Sequence, residues 1–246
     1  MPPANPHQSK HKRHPRQGFT LTELLLVIAI IAILFSILLP TVGKMKTSAN
    51  KAKCASNLRN LALACRSYSV EHNARAPHPN LTNDLEPSYI HAPHYYEVAA
   101  YEDTLAPYLG DRFDTMYCPG ELSNDPIGSY DPEIQRQANT PNEFVSYQYF
   151  QSTSTGAPSG NAKAEYSLLF SNTLNAPIDC AMWGCLTYIT GSKSFGHMEG
   201  RSSSGSIEGM NAAYADGSVR WVPFDQLEPY TADGSYLWPK PLHEQP

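Results

Sequence analysis

The chain lacks the short motifs that announce most small-molecule chemistry. It has no Cys-x-x-Cys pair, no Gly-x-x-x-x-Gly-Lys phosphate loop, no Gly-x-Gly-x-x-Gly turn and no Gly-x-Ser-x-Gly elbow. Those absences argue against a zinc ribbon, a nucleotide-driven motor, a dinucleotide enzyme and an α/β-hydrolase-type nucleophile. Charge is also scarce, at 17% of residues, and acids outnumber bases 23 to 18 for a net −5. Nucleic-acid binding draws much of its affinity from cationic contacts to phosphate, so an acidic chain is a poor candidate for that class. No internal repeat is visible. Cysteine is sparse, with five in 246 residues, an odd number that leaves one unpaired if the others are oxidised.

Long apolar runs are equally rare, and the single example dominates the reading. Phe19 to Leu39 carries one charged residue, Glu23, and follows a leader with Lys10, Lys12, Arg13, Arg16 and no acid. As a helix rising about 1.5 Å per residue, this run is long enough to cross a hydrocarbon core of about 30 Å. An acid in such a segment is costly unless it finds a partner, so Glu23 reads as functional. A cleaved signal peptide would show small residues after the apolar run, and Leu38-Leu39-Pro40-Thr41-Val42-Gly43 fits that pattern poorly.

Beyond Pro40, apolar positions recur at helical spacing: Val42, Met45, Ala49, Ala52, Ala55, Leu58, Leu61, Ala62, Cys65 and Tyr68. Lys46, Lys53, Asn57, Arg59 and Asn60 lie on the other side. The pattern predicts one helix from about Phe19 to about His72, bent at Pro40, where proline removes a backbone donor. Two helices joined at Thr41–Gly43 are the alternative. Residues 73–94 read as a proline-rich loop, and 95–109 hold a short helix closed by Gly110. In the middle of the chain only Glu143 to Gln151 suggests a strand. Tyr166–Ser171, Ala181–Thr190, Met210–Ala215 and Ser218–Val222 have strand composition. Asp216-Gly217 between the last two is a hairpin signal, expected as a type I′ turn with both residues at positive φ. Arg201–Gly205 reads as a flexible loop.

The segment Gly18-Phe-Thr-Leu-Thr-Glu23 resembles the processing site of type IV prepilins and type II secretion pseudopilins. Thr22 departs from the more usual Ile or Val before the acid. The resemblance implies cleavage after Gly18 by a prepilin peptidase/methyltransferase and N-methylation of Phe19. Glu23 would then neutralise the amino group of a neighbouring subunit, and Pro40 would mark the helix bend. It also implies other pilin-like subunits and the inner membrane as partners, with leader in the cytoplasm and head outside. Residues 1–18 would be the leader, 19–40 the membrane and filament-core helix, 41–72 its amphipathic continuation and 73–246 the β-rich head. The expected fold class is α+β and pilin-like, with a long N-terminal helix on a β-rich head. Removing the +4 leader leaves a mature charge of −5 − 4 = −9.

Farther on, Ala55 to Tyr68, Met116-Tyr-Cys-Pro119, His197 and Asn211 to Val219 resemble large prepilin-type proteins with a C-terminal His-X9-Asp-Gly signature. Here residues 198–215 separate His197 from Asp216-Gly217, a longer spacing. The function implied is that of a structural filament subunit rather than an enzyme. A signal-anchored binding module or enzyme is the alternative.

His197 and Asp216 could form an acid–base pair with Ser194 or Ser218 as nucleophile, but a turn role for Asp216 and packing for His197 are preferred. No cofactor is expected. If a metal binds, calcium held by Asp216, Glu208 and Asp225 is the candidate, suggested by calcium-binding pseudopilins. Zinc is not expected, because the nine histidines are scattered and the cysteines unclustered in sequence. Trp183, Trp221 and Trp238 could stack on sugars, though aromatics on short strands more often fill a core. Cys54 and Cys65, about 16 Å apart along one helix, cannot bond. A Cys180–Cys185 disulfide turning at Gly184 is the expected bridge.

Overall fold

A computed structural model describes residues 19–77, 95–110, 113–120, 142–149, 178, 180–190, 193–198, 206–229, 236–242 and 245. The chain divides into two compact units, Met1–Lys46 and Thr47–Pro246. Helix α1, Leu21–Glu71, is a single element of 51 residues. The predicted bounds of 19 and 72 are met within two residues, and the alternative of two helices fails, because helix continues through Thr41–Gly43. In the first unit its large apolar side chains, Leu24 to Leu39 among them, are exposed. In the second unit Cys54, Leu58, Leu61, Ala62 and Cys65 are fully buried. The three-and-four spacing of those residues puts them on one stripe, which is why this part can seat against a sheet.

The helix stops at a defined signal. Asn73 and Ala74 take positive φ, and the Ala74 amide donates to the Ser69 carbonyl at 2.8 Å. This is a Schellman-type end with Asn at the left-handed position, where it costs less than most side chains.

The head is built on a five-stranded antiparallel sheet. Central strand β8 (Ile207–Tyr214) pairs along one edge with β9 (Val219–Pro223). Its other edge is shared by β4 (Ala181–Cys185) and the two-residue β7 (His197–Met198), and β3 (Tyr147–Tyr149) extends the sheet beyond β4. Pairs β1–β2 (Tyr95–Glu97, Asn142–Phe144), β5–β6 (Tyr188–Thr190, Lys193–Phe195) and β10–β11 (Leu227–Pro229, Leu237–Pro239) are two-stranded. Short helices α2 (Val98–Thr104) and α3 (Ala106–Leu109) end at Gly110, with φ 69°, as the sequence suggested. Tyr166–Ser171 and Arg201–Gly205 lie outside the described residues.

The core forms where α1 meets this sheet. The Trp183 indole of β4 donates to Cys65 Sγ at 3.2 Å and stacks on Tyr149 at 4.2 Å between centroids. Trp183 and Trp238 are buried, so a sugar-stacking surface from all three tryptophans is corrected: only Trp221 is partly open. Polar bonds fix the register of helix on sheet. Arg66 donates to the Ala215 carbonyl at 2.8 Å, and Asn211 donates to the Lys51 carbonyl at 2.9 Å. Lys51 pairs with Glu208 and sits 4.0 Å above the Trp221 ring.

The β8–β9 hairpin is present, but its turn differs from the expected type. Ala213 pairs with Val219, the Tyr214 amide donates to Ser218 and the Gly217 amide donates to Tyr214. Three residues, Ala215 to Gly217, therefore close the loop, and of these Gly217 alone has positive φ, 83°. A type I turn followed by a left-handed glycine suits a three-residue loop. The expected Cys180–Cys185 bridge is corrected too, since no disulfide joins the two cysteines. Gly184 lies in strand rather than at a turn. Five extended residues at about 3.3 Å each separate the two cysteines far beyond the 7 Å reach of a disulfide.

Candidate functional site

In the first unit, the chemistry gathers at the start of α1. Thr20 precedes the first helical residue, Leu21, and Glu23 is the third residue of the helix. The Thr20 amide and hydroxyl donate to Glu23 Oε2 at 2.9 and 2.7 Å, and the Glu23 amide donates to Thr20 Oγ1 at 3.3 Å. This reciprocal pair is a capping box, which satisfies helix amides that otherwise have no partner. The carboxylate also sits at the positive end of the helix dipole. The Thr-x-x-Glu spacing of Thr20-Leu21-Thr22-Glu23 is the local signal for this cap, one that the processing-site reading of the same residues passed over. Phe19 is 75% exposed beside it. Gly18 lies outside the described residues, and Pro40 falls within the continuous helix.

In the second unit, the C-terminal signature residues are separated rather than joined. His197 pairs with Gly209 near the start of β8, whereas Asp216 follows the far end of that strand. Seven residues at about 3.3 Å place them on the order of 20 Å apart. Asp216 is exposed and accepts from the Ser218 amide at 2.8 Å. Partial burial raises its pKa, but the Ser218 bonds and Arg220 outweigh that, so its carboxyl lies below the ordinary value. Glu208 is committed to Lys51, and Asp225 lies on the short 3-10 turn Phe224–Gln226. The two ends of β8 therefore hold Glu208 and Asp216 apart.

His197 instead meets cysteines. Strand β4 leaves β8 at the Gly184–Ala212 pair, and β7 joins it at the His197–Gly209 pair. The end of one strand thus abuts the start of the next, and Cys185 Sγ lies 3.3 Å from His197 Nε2. Cys54 from α1 adds its Sγ at 2.9 Å from that of Cys185. Cys118 lies 3.6 Å from His197 Nε2. It follows the 3-10 turn Phe113–Met116, and its amide bonds the Ser146 hydroxyl. Asn57 and Asn50 donate to the carbonyls of Tyr117 and Pro119 at 3.2 and 3.4 Å, tying this segment to α1.

All four residues are buried, and their ligand atoms lie within 4.8 Å of one another. Burial pushes the Cys118 thiol up and Cys185 well above the ordinary thiol range. The Tyr147 hydroxyl is buried with no hydrogen-bond partner among the described residues. Burial, and then the Cys54, Cys118 and Cys185 sulfurs beside it, push that phenol well up. Cysteine spacing could not reveal this group, because Cys54 and Cys185, in contact here, stand 131 residues apart in sequence. A signal did exist: Cys118 and His197 both lie in the patches that resemble the His-X9-Asp-Gly proteins, and Cys54 immediately precedes one.

Comparison with known proteins bears on the N-terminal site. Residues 13–39 match the model of the prokaryotic N-terminal methylation motif. The chain is 33% identical over 61 residues to the ComG operon protein 3 homolog of Bacillus licheniformis, covering 25% of this chain and 63% of that protein. It is 32% identical over 60 residues to competence protein ComGC of Halalkalibacterium halodurans, covering 24% of this chain and 59% of that one. The chain thus spans about three fifths of the length of these curated relatives. No solved structure matches. The likeness to prepilins and competence proteins thus lies in the N-terminal quarter, at the head of one long helix, with an α+β architecture following it.

Proposed function

We propose that this chain is a structural subunit of a type IV pilus-like or type II secretion pseudopilus filament, and not an enzyme. A prepilin peptidase cuts after Gly18 and the new amino group of Phe19 is methylated. The cytoplasmic membrane holds the precursor with its leader inside and its head outside. Pilin-like subunits, of this chain or of related ones, are its partners.

The observation that carries the reading is the contrast along the first unit of α1. Its apolar side chains are exposed on every side, and its one acid lies at its head. Such a surface needs an apolar surround, which a bilayer supplies first and neighbouring helices supply after assembly. Glu23 is not stranded in the meantime, because the Thr20 cap holds its carboxylate. On assembly the carboxylate turns to the Phe19 amino group of an adjacent subunit. In a dry helix bundle an unmatched charge is costly, so this pairing sets axial register more than it adds stability.

The test is Glu23→Val expressed beside the wild-type chain. The variant should insert into the membrane at least as well, since its segment is more apolar, yet enter filaments far less often. Equal incorporation would reduce the helix to a tether and favour the signal-anchored alternative.

A further inference from the structure

We propose that Cys54, Cys118, Cys185 and His197 form a tetrahedral site for a structural divalent zinc ion. The site joins α1, the Met116–Gly120 segment and the sheet. This inference stands apart from the filament reading, since it concerns the head alone.

The donor set is one that zinc favours: three sulfurs and one imidazole, with no carboxylate or water required. Its geometry fits. A tetrahedron with Zn–S of about 2.3 Å and Zn–N of about 2.0–2.1 Å has S···N edges of roughly 3.5 Å and S···S edges of roughly 3.8 Å. The observed Cys185–His197 and Cys118–His197 separations, 3.3 and 3.6 Å, straddle the first of these. The Cys54–Cys185 separation, 2.9 Å, is shorter than the second, yet longer than the roughly 2.05 Å of a disulfide. Every pair among the four stays within 4.8 Å, so one ion can reach them all. The histidine presents Nε2 to the sulfurs, which identifies the ligand atom.

The surroundings support the same assignment. Tyr147 carries a buried hydroxyl with no partner among the described residues, and it stands opposite Cys185 in the β3–β4 register. A metal-bound thiolate is an acceptor that such a donor can serve, as outer-shell groups do around zinc. On the imidazole side, a Cβ at Gly120 would lie 2.9 Å from His197 Cε1 and 3.1 Å from Nδ1. The ring is thus seated against a backbone with no side chain to spare.

A redox role for a lone buried thiol would need no histidine and no such convergence. A disulfide between Cys54 and Cys185 is the competing chemistry, and it would remove two ligands. The experiment separates the two. Full-length protein, purified in detergent with reductant and without chelator, should hold about one zinc per chain by elemental analysis. A mercurial titration of wild-type thiols should release that zinc in step with thiol modification. Cys185→Ala and His197→Ala should each lower zinc content several-fold, whereas Cys65→Ala, a buried cysteine outside the group, should keep it. Because ligand variants can fail to fold, the wild type is also loaded with Co²⁺. Strong visible absorption with sulfur-to-cobalt charge transfer, abolished by added Zn²⁺, is expected. Less than about a tenth of an equivalent of zinc, even after incubation with Zn²⁺ and reductant, would overturn the proposal. So would zinc retained in folded Cys185→Ala and His197→Ala, or a Cys54–Cys185 disulfide in protein taken directly from membranes.

Discussion

Leu24 to Leu39 and Cys54 to Cys65 belong to one continuous helix, yet the first set is open on all sides and the second buries one stripe, Cys54, Leu58, Leu61, Ala62 and Cys65, while Leu63 stays exposed. Backbone conformation does not separate them; the arrangement of apolar residues does. In the first set nearly every position is apolar, so no stripe distinguishes an inner face, and the helix has no single surface to turn toward a sheet. In the second set the buried apolar residues return at every third or fourth place, with Arg59 and Asn60 between them. That stripe docks on β4 and β8, where each buried large side chain contributes about 1.5–3 kcal/mol. One helix thus serves two solvents. Its head end suits lipid or other helices, and its tail end suits its own domain.

The comparison can be broken at several points. Gly18→Val should have the largest effect, leaving the chain almost wholly unprocessed and still bearing its leader, as gel mobility and N-terminal sequencing would show. Leu61→Ala removes a fully buried side chain and should destabilise the head by about 2–5 kcal/mol in a denaturant melt. Ile31→Ala deletes a comparable group from the other half, where the side chain is 44% exposed, and should leave that melt unchanged. Equal losses from the two substitutions would erase the distinction. Gly217→Val should cost roughly 1 kcal/mol or more. Its added Cβ meets Leu63 at an ordinary 3.4 Å, so the penalty comes from forcing φ 83° on a β-branched residue.

Asp216→Asn should be the mildest change, near neutral at pH 7, because Asn also accepts from the Ser218 amide. Its pH signature has a definite sign. The folded carboxyl lies below its ordinary value, so its small contribution is complete above the unfolded pKa and is lost as pH falls through the folded one. The variant should lack that acid-side decline. A calcium-dependent rise in Tm that disappears in Asp216→Asn would instead make this hairpin a calcium site.

What the sequence disclosed follows from the same contrast. Local signals were legible. The three-and-four apolar spacing marks the long helix, Gly110 closes a short one, and Asp216-Gly217 divides two strand-like runs. Each depends on neighbours within a few residues. The turn type was misread because hairpin geometry also depends on where the flanking strands cease to pair, at Ala213–Val219. Cys180–Cys185 was misjudged because proximity in sequence was taken for proximity in space, and β4 runs extended between them. The cysteine–histidine group was invisible for the complementary reason: α1, a loop and two strands each supply one member, and only the topology of β8 brings them together.

The central claim is that the exposed half of α1 belongs to a processed pilin-like subunit. Intact mass of the protein extracted from membranes tests it most directly. The account predicts a chain that has lost residues 1–18 and gained one methyl group, placed by fragmentation on the amino group of Phe19. A chain that keeps those eighteen residues, or one cut beyond the apolar run near Gly43, would contradict it.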